Sequence, residues 1–335
     1  MGPITIDSLK SVSTVYYHAS CPDGTASAML IAAAFRLIGH KAEFKPLQYG
    51  TAEMDDLVPY KGQMFVDITP PRDKWEDWKE FEPIVLDHHE SSKAVTEGLG
   101  GIYGTNDKYS GAMLAHEFVF LPCVDFWMSA MAAFTKVAAG GCEHSVEHLR
   151  PQFNKWRDFA TLAMVRDTWK SKHELWGRAH ALQLATSFEG SKNLIEKAQL
   201  GEFDFDTTMS LGEKLKEKHD KKVELIAQGA HWVDFAHGDS ILKLASFNTT
   251  EKIISDVGNY LLENGADVAV GYFYMREDEA FQAVVSLRTN EKISASRVCE
   301  SLGGGGHARA AGFRIKTALI SSPGSIEDVV IRTIG

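Results

Sequence analysis

The 335-residue chain is long enough for about two domains, each with a core of its own. Its composition, 44% hydrophobic and 24% charged, is that of a soluble globular enzyme. A formal net charge of −10 excludes a generic nucleic-acid coat, because there is no basic excess to release counterions, but leaves room for a phosphate-bearing substrate balanced by bound divalent cations.

The first residues, Met1 to Asp7, have neither a basic n-region nor an apolar h-region, so no signal peptide is expected. Cys21, Cys123, Cys142 and Cys299 are scattered without a C-x-x-C pair, which fits a reduced, cytoplasmic protein better than a disulfide scaffold or zinc finger. Ser13 to Tyr17 is β-branched and aromatic and predicts the first strand. A turn-rich loop, His18 to Gly24, leads into an alanine-rich helix over Thr25 to Leu37. Lys41 to Pro46 and Gln63 to Asp67 predict further strands, and Asp73 to Phe81 a short amphipathic helix. Pro83 to Leu86 reads as a buried strand that delivers Asp87, His88, His89 and Glu90 at its C-terminal end. Strands alternating with helices argue for a doubly wound parallel sheet, an α/β architecture.

From Ser110 to about Leu184 the apolar spacing turns helical. The most apolar stretch, Phe118 to Ala139, contains Pro122, Asp125 and Lys136, so a buried helix pair is expected there rather than a membrane span. Ser191 to Ala227 carries charges of alternating sign and predicts a solvated helix between domains. Strands return at Ile241 to Ala245, Val268 to Tyr274 and Phe281 to Leu287, giving a second, smaller α/β domain.

Strand ends in a parallel sheet converge on one crevice. His18 and Asp23 follow the first strand, Asp67 the third, and Asp87, His88 and His89 the fourth; Asp167 adds a further carboxylate. One strand-end Asp is usually a helix cap, but this many gathered carboxylates and imidazoles cannot all be caps. Oxygen and nitrogen donors without thiolates suit Mn²⁺ or Mg²⁺, and two such ions would clamp a phosphate and activate a water. Farther on, Ser301-Leu-Gly-Gly-Gly-Gly-His-Ala-Arg-Ala-Ala-Gly312 offers backbone N–H groups expected to close on an anion at a helix start. Arg288, at a strand end, could fork onto a phosphate.

These residues together resemble the DHH phosphoesterases. The resemblance rests on Asp87-His88-His89, His18-x4-Asp23-Gly24, Asp67, Asp167 and the glycine run, with support from Ser110 to Ala115 and Phe247 to Thr250. It spans about residues 14 to 315 in order. It implies a metal-binding catalytic domain over 1–188, a charged helical linker over 189–230 and a DHH-associated substrate-binding domain over 231–335. Carried over, His18, Asp23, Asp67, His88 and Asp167 would hold two Mn²⁺ ions (Mg²⁺ or Co²⁺ as substitutes), with Asp67 bridging. Asp87 would orient His88, and His89 would face the scissile phosphate or its leaving group. Arg288, Gly304, Gly305, Gly306 and His307 would hold the rest of the substrate. Relatives commonly carry another Asp where this chain has Ser20, a weaker ligand that would leave one ion loosely held.

The implied activity is hydrolysis of a short oligonucleotide or nucleotide-like phosphodiester at a two-metal site in an interdomain cleft. Polyphosphate or pyrophosphate hydrolysis, or a non-catalytic nucleotide-binding relative weakened at Ser20, are the alternatives. The expected partners are a small phosphate-bearing substrate, down to a short single-stranded oligonucleotide, with a homodimer allowed and no membrane.

Overall fold

A computed structural model describes residues 4–105, 108–138, 147–249, 251–277, 280–316 and 324–334. The chain divides into two compact units, Met1–Lys216 and Glu217–Gly335.

The first unit opens with α1 (Ile6–Lys10) and β1 (Thr14–His18), followed by α2 (Pro22–Leu37) and β2 (Glu43–Leu47). Next come α3 (Ala52–Asp55), β3 (Gln63–Val66), β4 (Ile84–Asp87), α4 (Lys93–Gly98) and β5 (Ile102–Tyr103). The five strands are all parallel, in the order β2-β1-β3-β4-β5. Both faces of the sheet are covered, and the two-residue period of the strands sorts the side chains. Val15, Tyr17, Met64, Val66, Ile84 and Leu86 join the larger core, while Tyr16, Phe65 and Val85 pack with Trp78 on the other face. Chain order reverses between β1 and β3, so the ends of those two strands flank the position where open α/β sheets bind ligands.

Helix α2 lies in the middle of the larger core, with Asp23 through Phe35 all buried. Its alanines let neighbouring helices close on it, and Pro22 in the first turn costs no hydrogen bond there. Asp73 to Phe81 forms a 3₁₀ helix over Trp75–Phe81 instead of the expected amphipathic α-helix. The following helices are α5 (Gly111–Ala115), α6 (Leu121–Ala138), α7 (Asn154–Asp167), α8 (Trp176–Glu189) and α9 (Ser191–Leu200).

A π-helical turn over His116–Phe120 connects α5 to α6 without a break. The expected helix pair at Phe118 to Ala138 is thus one continuous helix, in which the π-helical turn just before Pro122 interrupts the regular i→i−4 ladder where the proline cannot donate; Ala139 lies outside the described residues. By length and composition alone this helix could cross a membrane. One side of it, through Leu114, Val119, Phe120, Cys123 and Val124, is core, and Phe126, Phe134 and Val137 are exposed.

The stretch 189–230 holds two helices of different character. Helix α9 sends Leu194, Ile195 and Ala198 into the first unit's core, whereas α10 (Phe205–Gln228) carries the alternating charges.

The second unit contains β6 (His231–His237), β7 (Ser240–Asn248), α11 (Glu251–Glu263), β8 (Val268–Glu277) and β9 (Ala280–Thr289). It ends with α12 (Ala295–Ser301), β10 (Gly305–His307), β11 (Ala310–Lys316) and α13 (Gly324–Ile334). Its sheet runs β10-β11-β9-β8-β7-β6. Only β7 and β8 are parallel, and α11 makes the crossover between them. Ile254, Val257 and Leu261 of α11 cover one face of this mixed sheet; Ile326 and Val330 of α13 pack on the other.

Candidate active site

The C-terminal ends of β1, β3 and β4 bring His18, Asp67, Asp87, His88 and His89 together, as their sequence positions predict. Asp67 is fully buried and sits immediately past β3 with φ 60°, a left-handed conformation that Asp tolerates better than most residues. Its Oδ1 lies 3.0 Å from His88 Nε2 and its Oδ2 3.5 Å from His18 Nδ1. His88 Nε2 also faces Asp23 Oδ2 at 3.7 Å and Asp167 Oδ2 at 3.5 Å. A single imidazole edge therefore meets three carboxylates, from three different parts of the chain.

Asp87 acts on both histidines, by different routes. Its Oδ1 accepts the backbone N–H of His88 at 2.7 Å and of His89 at 3.2 Å, and lies 2.7 Å from His89 Nδ1. Asp87 thus contacts His88 through the main chain, and the described bond to an imidazole ring is the one to His89. The tight turn after β4 carries the His89 ring back over the Asp87 carboxylate.

Asp23 is both a member of the cluster and a cap for a helix far along the chain. Its Oδ1 accepts the Ser110 hydroxyl at 2.7 Å and the Ala112 N–H at 3.2 Å, and its Oδ2 accepts the Gly111 N–H at 2.6 Å. The start of α5 is thus pinned to the cluster. A Cβ on Gly111 would lie 2.6 Å from Asp67 Cβ and 2.8 Å from Asp67 Oδ1, so only glycine lets this helix approach so closely. A Cβ on Gly24 would lie 2.3 Å from the His18 carbonyl oxygen.

The electrostatics follow from this crowding. Burial raises Asp23 well above the usual carboxylate range, and the charges of Asp67 and Asp167 add to it. Asp167 is pushed up to about 6 by burial and by Asp67. Burial opposes ionisation of Asp67 too, but the imidazoles of His18 and His88 outweigh it and hold this carboxyl below its ordinary range. Burial disfavours the charged form of His88, yet the bond to Asp67 and the surrounding carboxylates raise it to about 10. The His89 ring is also raised, because its pairing with Asp87 outweighs burial.

Metal-ligating chemistry fits this arrangement. His18 Nδ1, Asp67 Oδ2 and Asp87 Oδ2 are buried atoms with no hydrogen-bond partner, and leaving such groups unsatisfied is costly. Within this cluster three groupings have ligand atoms close enough to hold an ion: Asp67, Asp87, His88 and His89; Asp23, His88 and Asp167; and His18, Cys21 and Asp67. The third includes Cys21, which sequence reasoning passed over as incidental. Its thiol is raised well above its usual value, by burial first and then by nearby carboxylates, so it is a poor thiolate donor. Ser20 is exposed, at φ 56°, in the turn between β1 and α2.

In the second unit Arg288 is next to last in β9. Its guanidinium donates to Ser286 Oγ at 3.0 Å, to the Leu287 carbonyl at 2.8 Å and to Ser255 Oγ at 2.6 Å. It lines a cleft of about 600 Å³ together with Gly303, Gly304, Gly305, Gly306 and Arg314. The glycine run does not start a helix, as expected from sequence; it follows the end of α12 and becomes β10, paired antiparallel with β11. Helix-dipole binding of an anion is therefore not its role. Sterics explain the glycines instead: a Cβ on Gly304 would lie 2.1 Å from the Gly312 carbonyl oxygen, and one on Gly306 would lie 2.6 Å from Ala311 Cα. His307 pairs with Ala310 in the backbone register, and its side chain, like Thr250, lies outside the described residues.

Comparison with known proteins agrees with this geometry. The DHHA1 domain matches residues 238–330. The fold is similar to that of the pGpG-specific phosphodiesterase PggH from Vibrio cholerae (TM-score 0.54, 14% identity), covering 96% of this chain and 98% of that one. It is also similar to RecJ from Thermus thermophilus, solved in complex with Mn²⁺ (TM-score 0.52, 16% identity). That match covers 97% of this chain and 52% of RecJ, so the chain spans about half of RecJ's length. Residues 238–330 thus match the DHHA1 domain, and the fold of the chain is one shared with PggH and RecJ. Curated protein sequences return no match.

Proposed function

We propose that the protein is a Mn²⁺-dependent phosphoesterase acting on short oligonucleotide or nucleotide-like phosphodiesters. The observation that carries this reading is Asp67, whose two oxygens face different histidines at the point where the strand order reverses. His18, Asp23, Asp67, His88 and Asp167 would hold the metal. When bound, such ions clamp a phosphate and lower the pKa of a water so that it attacks at neutral pH.

The remaining steps belong to the chain's own residues. The Asp87 carboxylate takes the Nδ1–H of His89 and fixes that ring's orientation, so Nε2 is the nitrogen left to exchange a proton with the departing oxygen. The pairing with Asp87 outweighs burial and raises the His89 ring, which favours the protonated form a general acid requires. Asp23, by holding the start of α5, keeps the wall behind Asp67 in place. Arg288 would bind a part of the substrate remote from the cut. Its fixed guanidinium costs little further ordering on binding.

The reading is tested by incubating the purified protein with dinucleotides, cyclic dinucleotides and polyphosphate, each with Mn²⁺ and with excess chelator. Dinucleotide turnover with Mn²⁺, lost in chelator and restored by added Mn²⁺, is the expected result. Full activity in a rigorously metal-free sample would refute the metal assignment. Cleavage of polyphosphate alone would move the substrate class, and binding of nucleotides without turnover would indicate a non-catalytic relative.

The role of Arg288 has its own test. Charge-assisted hydrogen bonds contribute about 1.5–3 kcal/mol each, so Arg288→Ala should raise KM by roughly 10- to 100-fold. A smaller part of the loss should reach kcat, since remote binding positions the reacting centre. Unchanged kinetics in a variant with unaltered melting would remove Arg288 from the substrate's path.

A further inference from the structure

We infer that the first unit contains a nucleobase pocket directly beside the carboxylate cluster, formed where α2, α7 and α8 meet. This inference rests on the phosphodiesterase reading above and names the group next to the bond that is cut. A cavity of about 180 Å³ opens there, and its walls include both Asp23 and Asp167. Those two carboxylates face the same edge of His88, so the cavity and the cluster share a wall.

The cavity is a product of the sequence. Each of the three helices contributes an alanine to its lining: Ala26 from α2, Ala163 from α7 and Ala179 from α8. Three small side chains at one junction leave space that larger ones would have filled. Protein interiors are close-packed, and a void of this size next to large apolar side chains is destabilising unless something occupies it. Cavities of about 150 Å³ lined by apolar groups take up a ring the size of benzene. A flat heterocycle is therefore within the capacity of this one.

Its lining combines the surfaces a base requires. Phe159 and Leu182 provide apolar walls, while Gln183 and Thr186 bring polar groups to the same cavity. Trp169 stands at its edge, 40% exposed and held at φ 50° just past the end of α7. The guanidinium of Arg166 lies 4.3 Å from the Trp169 ring centroid and 4.7 Å from that of Trp176, and the two indoles meet edge-on at 5.1 Å. This stack fixes Trp169 in an energetically unfavourable backbone conformation with its ring still accessible, which is the arrangement of a stacking platform. A bare phosphate chain would use none of these surfaces.

The test compares a dinucleotide with its abasic analogue, which keeps the phosphodiester and lacks a base. In the wild-type protein with Mn²⁺, removing the base is expected to lower kcat/KM by at least about 10-fold, the effect of losing one stacked base. Ala163→Leu, which fills the cavity, is expected to collapse the ratio between the two substrates to near one. Equal kcat/KM for both substrates in the wild type, or an undiminished ratio in a folded Ala163→Leu, would overturn the pocket.

A second measurement needs neither turnover nor the variant. Guanosine monophosphate should quench tryptophan fluorescence saturably, and ribose 5-phosphate at the same concentration should not. Equal responses to the two probes would overturn the proposal. If no phosphodiester is cleaved but the quench is specific for the nucleotide, the pocket stands and the phosphodiesterase reading falls.

Discussion

Asp67→Ala is expected to abolish turnover in a protein that still folds. The carboxylate makes no helix cap and satisfies no buried donor other than the histidines of the cluster, so its removal leaves the sheet's own pairing intact. It removes the group that faces both His18 and His88, and with it a ligand that would hold the metal. Metal stabilisation of a phosphoryl transition state amounts to several kcal/mol, which converts to a loss of about 10³-fold or more. Removing it leaves His88 without its nearest carboxylate and puts alanine at a φ of 60°, so the metal-free variant should melt somewhat lower than the metal-free parent while remaining folded. Asp67→Asn separates charge from shape, because asparagine also tolerates a φ of 60°. It should be nearly as inactive as the alanine variant. Activity assays, circular dichroism melts and calorimetric Mn²⁺ titration of both variants check this. Near-normal turnover in either would reduce Asp67 to a residue that merely ends a strand.

Gly111→Ala should be almost as damaging, although glycine has no chemistry of its own. The added methyl would have to share space with Asp67 Cβ, Asp67 Oδ1 and Ser27 Oγ, all within 2.8 Å. Either the start of α5 backs away, breaking its bonds to Asp23, or Asp67 turns off its histidines. Overpacking of this kind costs about 1–3 kcal/mol, so a fall of several degrees in Tm is expected. The loss of activity should exceed what the stability change accounts for, because both routes displace a member of the cluster. A variant with a lowered Tm and unimpaired turnover would show that the close approach serves packing alone.

The strand ends of the cluster were legible because their signal is local. Ile84 to Leu86 is buried on both faces of a parallel sheet, and such strands read as uninterrupted apolar runs whose ends are easy to find. The same signal marked β1, β3 and α2 and placed His18, Asp67 and His88 before any geometry was known. Asp23 was legible as a participant but not as the cap of α5, since its partners lie 87 to 89 residues away. The Gly111 contact and the three-alanine cavity were illegible for a related reason. A small residue announces that space is needed or left over, but only the packing of distant helices says what stands opposite. The glycine run misled for the opposite reason. Glycines that admit close backbone approach between β10 and β11 look, in sequence, the same as glycines that cradle an anion. Strand β5, at two residues, is too short for any periodic pattern to register.

Among the described residues, four non-glycine positions have positive φ: Ser20, Asp67, Glu82 and Trp169. Two of them, Asp67 and Trp169, belong to the carboxylate cluster and to the cavity beside it. Each holds its backbone at a cost of about 1–2 kcal/mol that glycine would largely escape. Selection for thermal robustness alone would therefore erode this protein at its working surface first. Glycine would be welcome to the fold at Asp67 and Trp169, and the molecules that survived the hottest screen would be those that had given up the carboxylate and the indole.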